Sequence, residues 1–393
     1  MSEKYLSLLY QYGIISEIDF HFARLMTRLA NASNAAAGLA AALVSRATGE
    51  GAVCLDLQTL GGRPVSMDAA GEAALVCPET AVWRQMLLGS GVVGGPGEFR
   101  PLVLDADNRL YLYRYWEYEQ TLATAVAAKA SGVICDIDPT RMQASLERLF
   151  PNSLETPVDW QRVAAVVAVL KALCIISGGP GSGKTTTVAR LLALLLEQGP
   201  IPNLRIQLAA PTGKAAARIS ASIRAARHGL NCETAVKAAI PVQATTLHRL
   251  LGTIPGSPYF RHNAQNPLAV DVVVVDEASM VDLALMAKLV QAMPPAARLV
   301  LVGDKDQLAS VEAGAVLGDI CGRETRHRFS REFCTTLSAA TGQNLQRWCN
   351  PTQKRSGLTD CIVALRHNYR FSRSSGIGRL SRAVNAGDTA SVA

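Results

Sequence analysis

A chain of 393 residues, 49% apolar and only 18% charged, is too long for one typical core and too apolar for a disordered segment, so two or three globular domains are expected. Nine cysteines without a C-x-x-C pair argue against a zinc site or a disulfide framework, and no basic-plus-apolar leader or membrane-length apolar run is present, so a soluble cytoplasmic protein without a membrane partner is expected. The net charge of +7 is modest, but Gly322 to Arg382 holds twelve basic and three acidic residues, a local +9 that is either a solvated surface or one that meets nucleic-acid phosphate.

Along the chain, residues 1–125 read as a smaller, mainly helical N-terminal domain. Ala30 to Val44 is Ala-rich and helical, and Ala52 to Leu57 reads as a strand. Leu102 to Leu104 and Leu110 to Trp116, split by Asp105-Ala106-Asp107-Asn108, predict a hairpin whose aromatic face serves core or interface rather than base stacking. Tyr118 to Lys129 predicts a helix, and residues 126–158, with prolines at 139, 151 and 157, read as a linker region. Residues 159–321 alternate helix and strand, the pattern of a parallel sheet. Its strands are Ala172 to Ser177, Leu204 to Ala210, Val270 to Val275 and Arg298 to Asp304, continuous apolar runs that imply burial on both faces. A basic connecting segment (322–360) follows, and the apolar stretch at Cys361 marks the expected start of another domain.

Chemistry is concentrated in four places. Gly178-Gly179-Pro180-Gly181-Ser182-Gly183-Lys184-Thr185 fits the P-loop pattern G-x-x-x-x-G-K-[ST] between a strand and a helix. Its glycines let successive amides face phosphate oxygens, Lys184 supplies a mobile cation, and Thr185 offers a hydroxyl to Mg²⁺. Asp276 and Glu277 end the third strand, where one acid can hold Mg²⁺ and the other can orient or deprotonate water; alone, such a pair is as often a helix cap. Gln307, after the fourth strand, is placed to sense a third phosphate, with a polar turn as the plain alternative. Thr212, Lys214, Thr246 and His248 lie at strand ends or helix starts, where hydroxyl and amide donors can hold a nucleic-acid backbone or simply cap helices.

The ordered segments Trp160-Gln161, GGPGSGKTTT (178–187), AAPTGKAAAR (209–218), TTLHRLLG (245–252), VVVVDEASMVD (272–282), LVGDKDQLASVEAGAVLGDI (301–320) and NYRFSRSSGIGRLSRAVNAGD (368–388) resemble the superfamily 1 DNA helicases. Within them the chain is most similar to the RecD family, the alpha subunits of bacterial RecBCD exonuclease V, and LYLYRYWEYEQ (110–120) is also of that kind. The resemblance implies an α/β fold, a P-loop RecA-like parallel sheet with helices on both faces. It implies ATP and Mg²⁺ as cofactors, with Gln161 on the adenine and Gly178, Gly179, Pro180, Gly181, Ser182, Gly183, Lys184, Thr185 and Thr186 around the phosphates. Thr185 and Asp276 would hold the metal, Glu277 the water, Gln307 would couple the γ-phosphate to DNA, and Arg370 would act as an arginine finger from a second domain. Thr212, Lys214, Thr246 and His248 would meet single-stranded DNA. The implied activity is a 5′ to 3′ DNA helicase subunit acting in double-strand-break repair and recombination, in a heterotrimer with RecB-like and RecC-like subunits that carry DNA cleavage.

One departure qualifies this expectation. A second RecA-like domain would bring a T-x-H-K-x-Q-G-like segment and a further arginine, and neither occurs before Ala393. That domain (361–393) is therefore expected to be incomplete and unwinding by this chain impaired. The alternatives are a non-motor ATP-binding interaction subunit and a P-loop ATPase that remodels proteins rather than DNA.

Overall fold

In the computed structural model the described residues are all except 1, 32–34, 68–72, 133, 135–137, 152–157, 200–203, 308–309, 311, 323–326, 351, 353–356, 368, 370–375, 377–379, 381–382, 385–387 and 389–393. Two compact units are present. One comprises Met1–Thr121 with the short segments Asp282–Ala284 and Ser310–Gly314, and the other Leu122–Val281, Leu285–Ala309 and Ala315–Ala393.

The first unit begins with helices α1 (Ser2–Gln11), α2 (Glu17–Leu29) and α3 (Ala35–Gly49). Ser16 and Asp19 form a reciprocal capping box at the start of α2. Helices α2 and α3 approach closely at Gly38, where a Cβ would lie 2.3 Å from Thr27 Oγ1. There follow β1 (Leu55–Asp56), α4 (Leu57–Leu60), β2 (Pro64–Met67), β3 (Ala73–Val76), α5 (Thr80–Leu88), β4 (Val93–Gly94), β5 (Leu102–Leu104) and β6 (Arg109–Leu112). Strands β2 and β3 pair with each other, and the rest form a sheet ordered β1-β6-β5-β4. Trp83 on α5 is fully buried and donates its indole N–H to Ala36 O at 3.3 Å.

Two expectations are corrected here. The strand foreseen at Ala52–Leu57 is reduced to two residues, because Asp56 accepts the N–H of Gln58 and caps α4. The second hairpin strand ends at Leu112, and Tyr113 opens α6 (Tyr113–Ser131). The aromatics that read as a strand face meet instead at helical spacing, Tyr113 with Trp116 and Tyr115 with Tyr118.

The second unit continues with α7 (Pro139–Leu149), α8 (Trp160–Leu170), β7 (Leu173–Gly178), α9 (Lys184–Gln198), β8 (Ile206–Ala210), α10 (Gly213–His228), α11 (Thr234–Ala239) and β9 (Ala244–Thr246). Next come α12 (Leu247–Leu251), β10 (Val272–Val275), α13 (Leu283–Ala292), β11 (Arg298–Gly303), α14 (Val316–Cys321), β12 (Phe329–Ser330), α15 (Arg331–Thr341), β13 (Cys349–Asn350) and β14 (Ile362–Leu365). The foreseen linker thus holds a helix, α7, capped by Asp138 with Pro139 at its first turn. A six-stranded sheet runs β14-β7-β11-β10-β8-β9, parallel throughout. Val272–Val275 are buried at every position, as β-branched residues in a strand covered on both faces are. Helix α8, capped by Asp159, buries every residue from Gln161 to Leu170.

Burial of α8 explains two further corrections. The basic segment 322–360 is not a loose connector, because Phe329, Phe333, Cys334, Leu337 and Leu345 are buried in the same apolar cluster as α8 and α9. Nor does Ile362–Leu365 open a second domain: β14 pairs with β7, Leu365 opposite Gly178, and extends the first sheet at its edge. Among the described residues no helix is long and apolar enough to cross a membrane.

Candidate nucleotide and nucleic-acid site

The local sequence after β7 forces a tight phosphate-sized loop. Gly181 and Gly183 both have φ of +81°, in the left-handed region that glycine enters without a Cβ clash. At Gly183 a Cβ would also lie 2.3 Å from Gln161 Nε2 and 3.3 Å from the Tyr369 ring. Lys184 begins α9, and its ammonium donates to Gly178 O at 2.5 Å and Gly179 O at 3.3 Å. The loop borders a cleft of about 580 Å³ lined by Gly179 to Thr186, Arg218, Ile219, Ser222, Asp276, Glu277, Gln307 and Tyr369.

The two acids enter from the end of β10. The Asp276 N–H donates to Ala209 O of β8, and its carboxylate accepts the Glu277 N–H at 2.9 Å. Burial, and the neighbouring Glu277 charge, raise the Asp276 carboxyl above its ordinary value, opposed by that N–H and by the nearby cations Lys184 and Arg218. Glu277 has φ of +51°, a left-handed conformation that costs about 1 kcal/mol for a residue with a Cβ. Its carboxylate lies 3.8 Å from the guanidinium of Arg218. Gln307 donates Nε2 to the buried Asp304 carboxylate at 3.2 Å and thereby stands at the mouth of the same cleft.

Gln161 is buried beside the loop. Its Nε2 donates to Ser182 O at 3.4 Å, and its Oε1 accepts from Arg190 at 3.2 Å. Trp160 stacks on His327 with ring centroids 3.6 Å apart. Tyr369 donates its backbone N–H to Gly181 O at 2.9 Å, which seats the chain beyond β14 against the phosphate loop. Arg370 lies outside the described residues.

The four residues expected to meet nucleic acid are not in the cleft but at neighbouring strand ends. Ala210 of β8 pairs with Thr246 of β9, so the Thr212 and Thr246 segments leave the sheet side by side. Both threonines are helix caps: Thr212 Oγ1 accepts from Ala215 N and Thr246 Oγ1 from Arg249 N, each at 3.2 Å. Lys214 and His248 are exposed, and the His248 ring meets Phe260 edge-on at 5.7 Å.

Arg218 and Tyr369 were not singled out by the sequence. Both fall inside helicase-like segments, Arg218 closing 209–218 and Tyr369 in NYRF, but pattern alone gives no reason for either side chain to face the phosphate loop.

A family model described as RecBCD enzyme subunit RecD, N-terminal domain, matches residues 11–111, and one described as AAA domain matches 161–313. The RecBCD enzyme subunit RecD of Mycolicibacterium smegmatis is 42% identical over 343 residues, which cover 83% of this chain and 58% of that protein. The RecBCD enzyme subunit RecD of Haemophilus influenzae is 42% identical over 285 residues, 71% of this chain and 43% of that protein. The ATP-dependent RecD2 DNA helicase of Deinococcus radiodurans is 42% identical over 243 residues, 56% of this chain and 30% of that protein. The chain spans about half the length of the RecD subunits it matches.

Proposed function

Because this chain belongs with the RecD subunits over its N-terminal domain and its P-loop domain, we propose that it is an ATP-hydrolysing motor subunit that acts on DNA in a RecBCD-type helicase and nuclease. The observation that carries this reading is the convergence of Lys184, Thr185, Asp276, Glu277 and Gln307 on one cleft, from three strand ends of a sheet whose next two strands end in the Thr212 and Thr246 segments.

In this reading the P-loop amides and Lys184 hold the ATP phosphates, and Gln161 approaches the adenine. Mg²⁺ fits the donor set: Thr185 offers a hydroxyl in the same cleft as Asp276, a half-buried carboxylate whose ionised form is disfavoured by desolvation. Thr185 and Asp276 would hold the ion, which would supply charge neutralisation for the phosphates. Glu277 orients and deprotonates the attacking water, Gln307 reports the γ-phosphate, and Arg370 stabilises charge in the transition state. Thr212, Lys214, Thr246 and His248 hold the single-stranded DNA backbone. The 5′ to 3′ direction, the RecB-like and RecC-like partners, the role in break repair and recombination, and a cytoplasmic location are part of the same proposal. They rest on likeness to the RecD subunits.

ATP hydrolysis by this chain, measured with and without single-stranded DNA, tests the reading. DNA should stimulate turnover, and Lys184→Ala should lower it by about 100-fold or more through loss of a charge-assisted phosphate contact. Hydrolysis in Lys184→Ala at the wild-type rate would remove the P-loop assignment. Nucleotide binding without DNA-stimulated turnover would favour the non-motor subunit.

A further inference from the structure

We propose that Arg218 is a positioning residue for Glu277, through which α10 ties ATP turnover to single-stranded DNA; this deepens the ATPase reading above and rests on it. Arg218 stands on the cleft-facing side of α10, with Nη1 3.8 Å from Glu277 Oε1. A carboxylate oxygen engaged by a guanidinium is not available to accept the proton of an attacking water. The pair therefore holds the water-activating acid in an unproductive setting. It is also weak, because the Arg218 side chain is 71% exposed and that of Glu277 22%, so a small shift of the helix releases it.

Helix α10 is the element that such a shift would move, because it is bonded to both segments assigned to DNA. At its start Thr212 caps it, about 9 Å along the axis from Arg218. In its middle Ser220 Oγ donates to Ala216 O at 2.7 Å and accepts the Ala244 N–H of β9 at 2.9 Å, two residues before Thr246. Ile219, which also borders the cleft, and Ile223 are buried and tie the helix to the core. A DNA backbone gripped by the Thr212 and Thr246 segments acts on α10 at two points, and Arg218 lies between them in sequence. Drawing Arg218 off Glu277 frees the acid for water. By linkage, the setting that frees Glu277 binds DNA more tightly by the same factor.

The test compares the full chain with Arg218→Ala, Arg218→Lys and Glu277→Gln. Arg218→Ala should raise DNA-free turnover about two- to fivefold and reduce the stimulation by DNA by the same factor, with KM for ATP and equilibrium binding of a fluorescent ATP analogue unchanged. Arg218→Lys should restore part of the restraint. As a readout independent of turnover, Glu277→Gln should tighten binding of a labelled single strand, followed by anisotropy, by about two- to fivefold, and adding Arg218→Ala should bring no further gain. Unchanged or lower DNA-free turnover in Arg218→Ala, or loss of nucleotide binding with it, would overturn the proposal, the latter by making Arg218 a phosphate ligand. Failure of the ATPase reading looks different, since the wild-type chain would then turn over no faster than Lys184→Ala and both proposals would fall together.

Discussion

At Asp276 the metal-holding role proposed above and the stability of the fold oppose each other. Burial raises its carboxyl pKa, so at neutral pH the ionised side chain destabilises the folded state relative to the unfolded one. The sign follows from the direction of the shift: stability associated with this group is greatest at acid pH and is lost as pH rises through the raised value. Asp276→Asn should therefore melt a few degrees above the wild type at pH 8 and lose that advantage below about pH 4, where both states of the wild type are protonated. The same variant should lose turnover if Asp276 holds the metal. A thermal melt across pH, paired with an ATPase assay, checks both halves; a variant less stable than the wild type at pH 8 would mean that the hydrogen bond from Glu277 outweighs the desolvation. The motif residues at this scale were legible because phosphate chemistry restricts which residue types can stand at each P-loop position. Arg218 and Tyr369 were not, since their presence in the cleft depends on how α10 and β14 are laid against the loop.

At the scale of elements, His327 joins three pieces of chain that are far apart in sequence. Its ring lies between Trp160 of α8 and Phe329 of β12, and its Nε2 accepts the Ala364 N–H of β14 at 2.8 Å. Burial, with help from the charge of Arg366, drives its pKa down to about 3. The sign is opposite to that of Asp276. A depressed histidine stabilises the fold above its ordinary pKa of about 6.5 and withdraws that stability as pH falls toward 3, by about 1.4 kcal/mol per pH unit. Wild-type melting temperature should fall roughly 3–5 °C per unit across that window through this group. His327→Gln keeps an acceptor for Ala364 but cannot be protonated, so it should flatten the slope; an unchanged slope would place the acid sensitivity elsewhere. None of this was readable in the sequence, where Gly322 to Gly357 looks like a polar, basic connector. Phe333, Cys334 and Leu337 are helically spaced, but the helix is only 11 residues long and flanked by polar, basic chain, and only the surface left by α8 makes them buried.

Across the whole molecule, two units with separate cores carry different kinds of information. The local charge of +9 between Gly322 and Arg382 predicts that affinity for single-stranded DNA, measured between 50 and 200 mM salt, falls linearly in a log–log plot. A flat salt dependence would assign these cations to solvent and favour a substrate other than nucleic acid. The amino-acid sequence by itself determined the α/β class, the order of strands in the chain, the phosphate loop, the acids at the end of β10 and the kinship with RecD. Each is a local consequence of residue type: β-branched runs demand strands, and only glycines permit the backbone of the loop. Tertiary structure decided what depends on residues distant in sequence. It laid β14 beside β7, packed Phe329, Phe333, Cys334, Leu337 and Leu345 into one cluster with α8, turned the aromatics after Leu112 into a helix face, and brought Arg218 to within 3.8 Å of Glu277. The physical reason is that pairing partners, burial and ion-pair distance belong to the packed chain, and no spacing along the sequence encodes them.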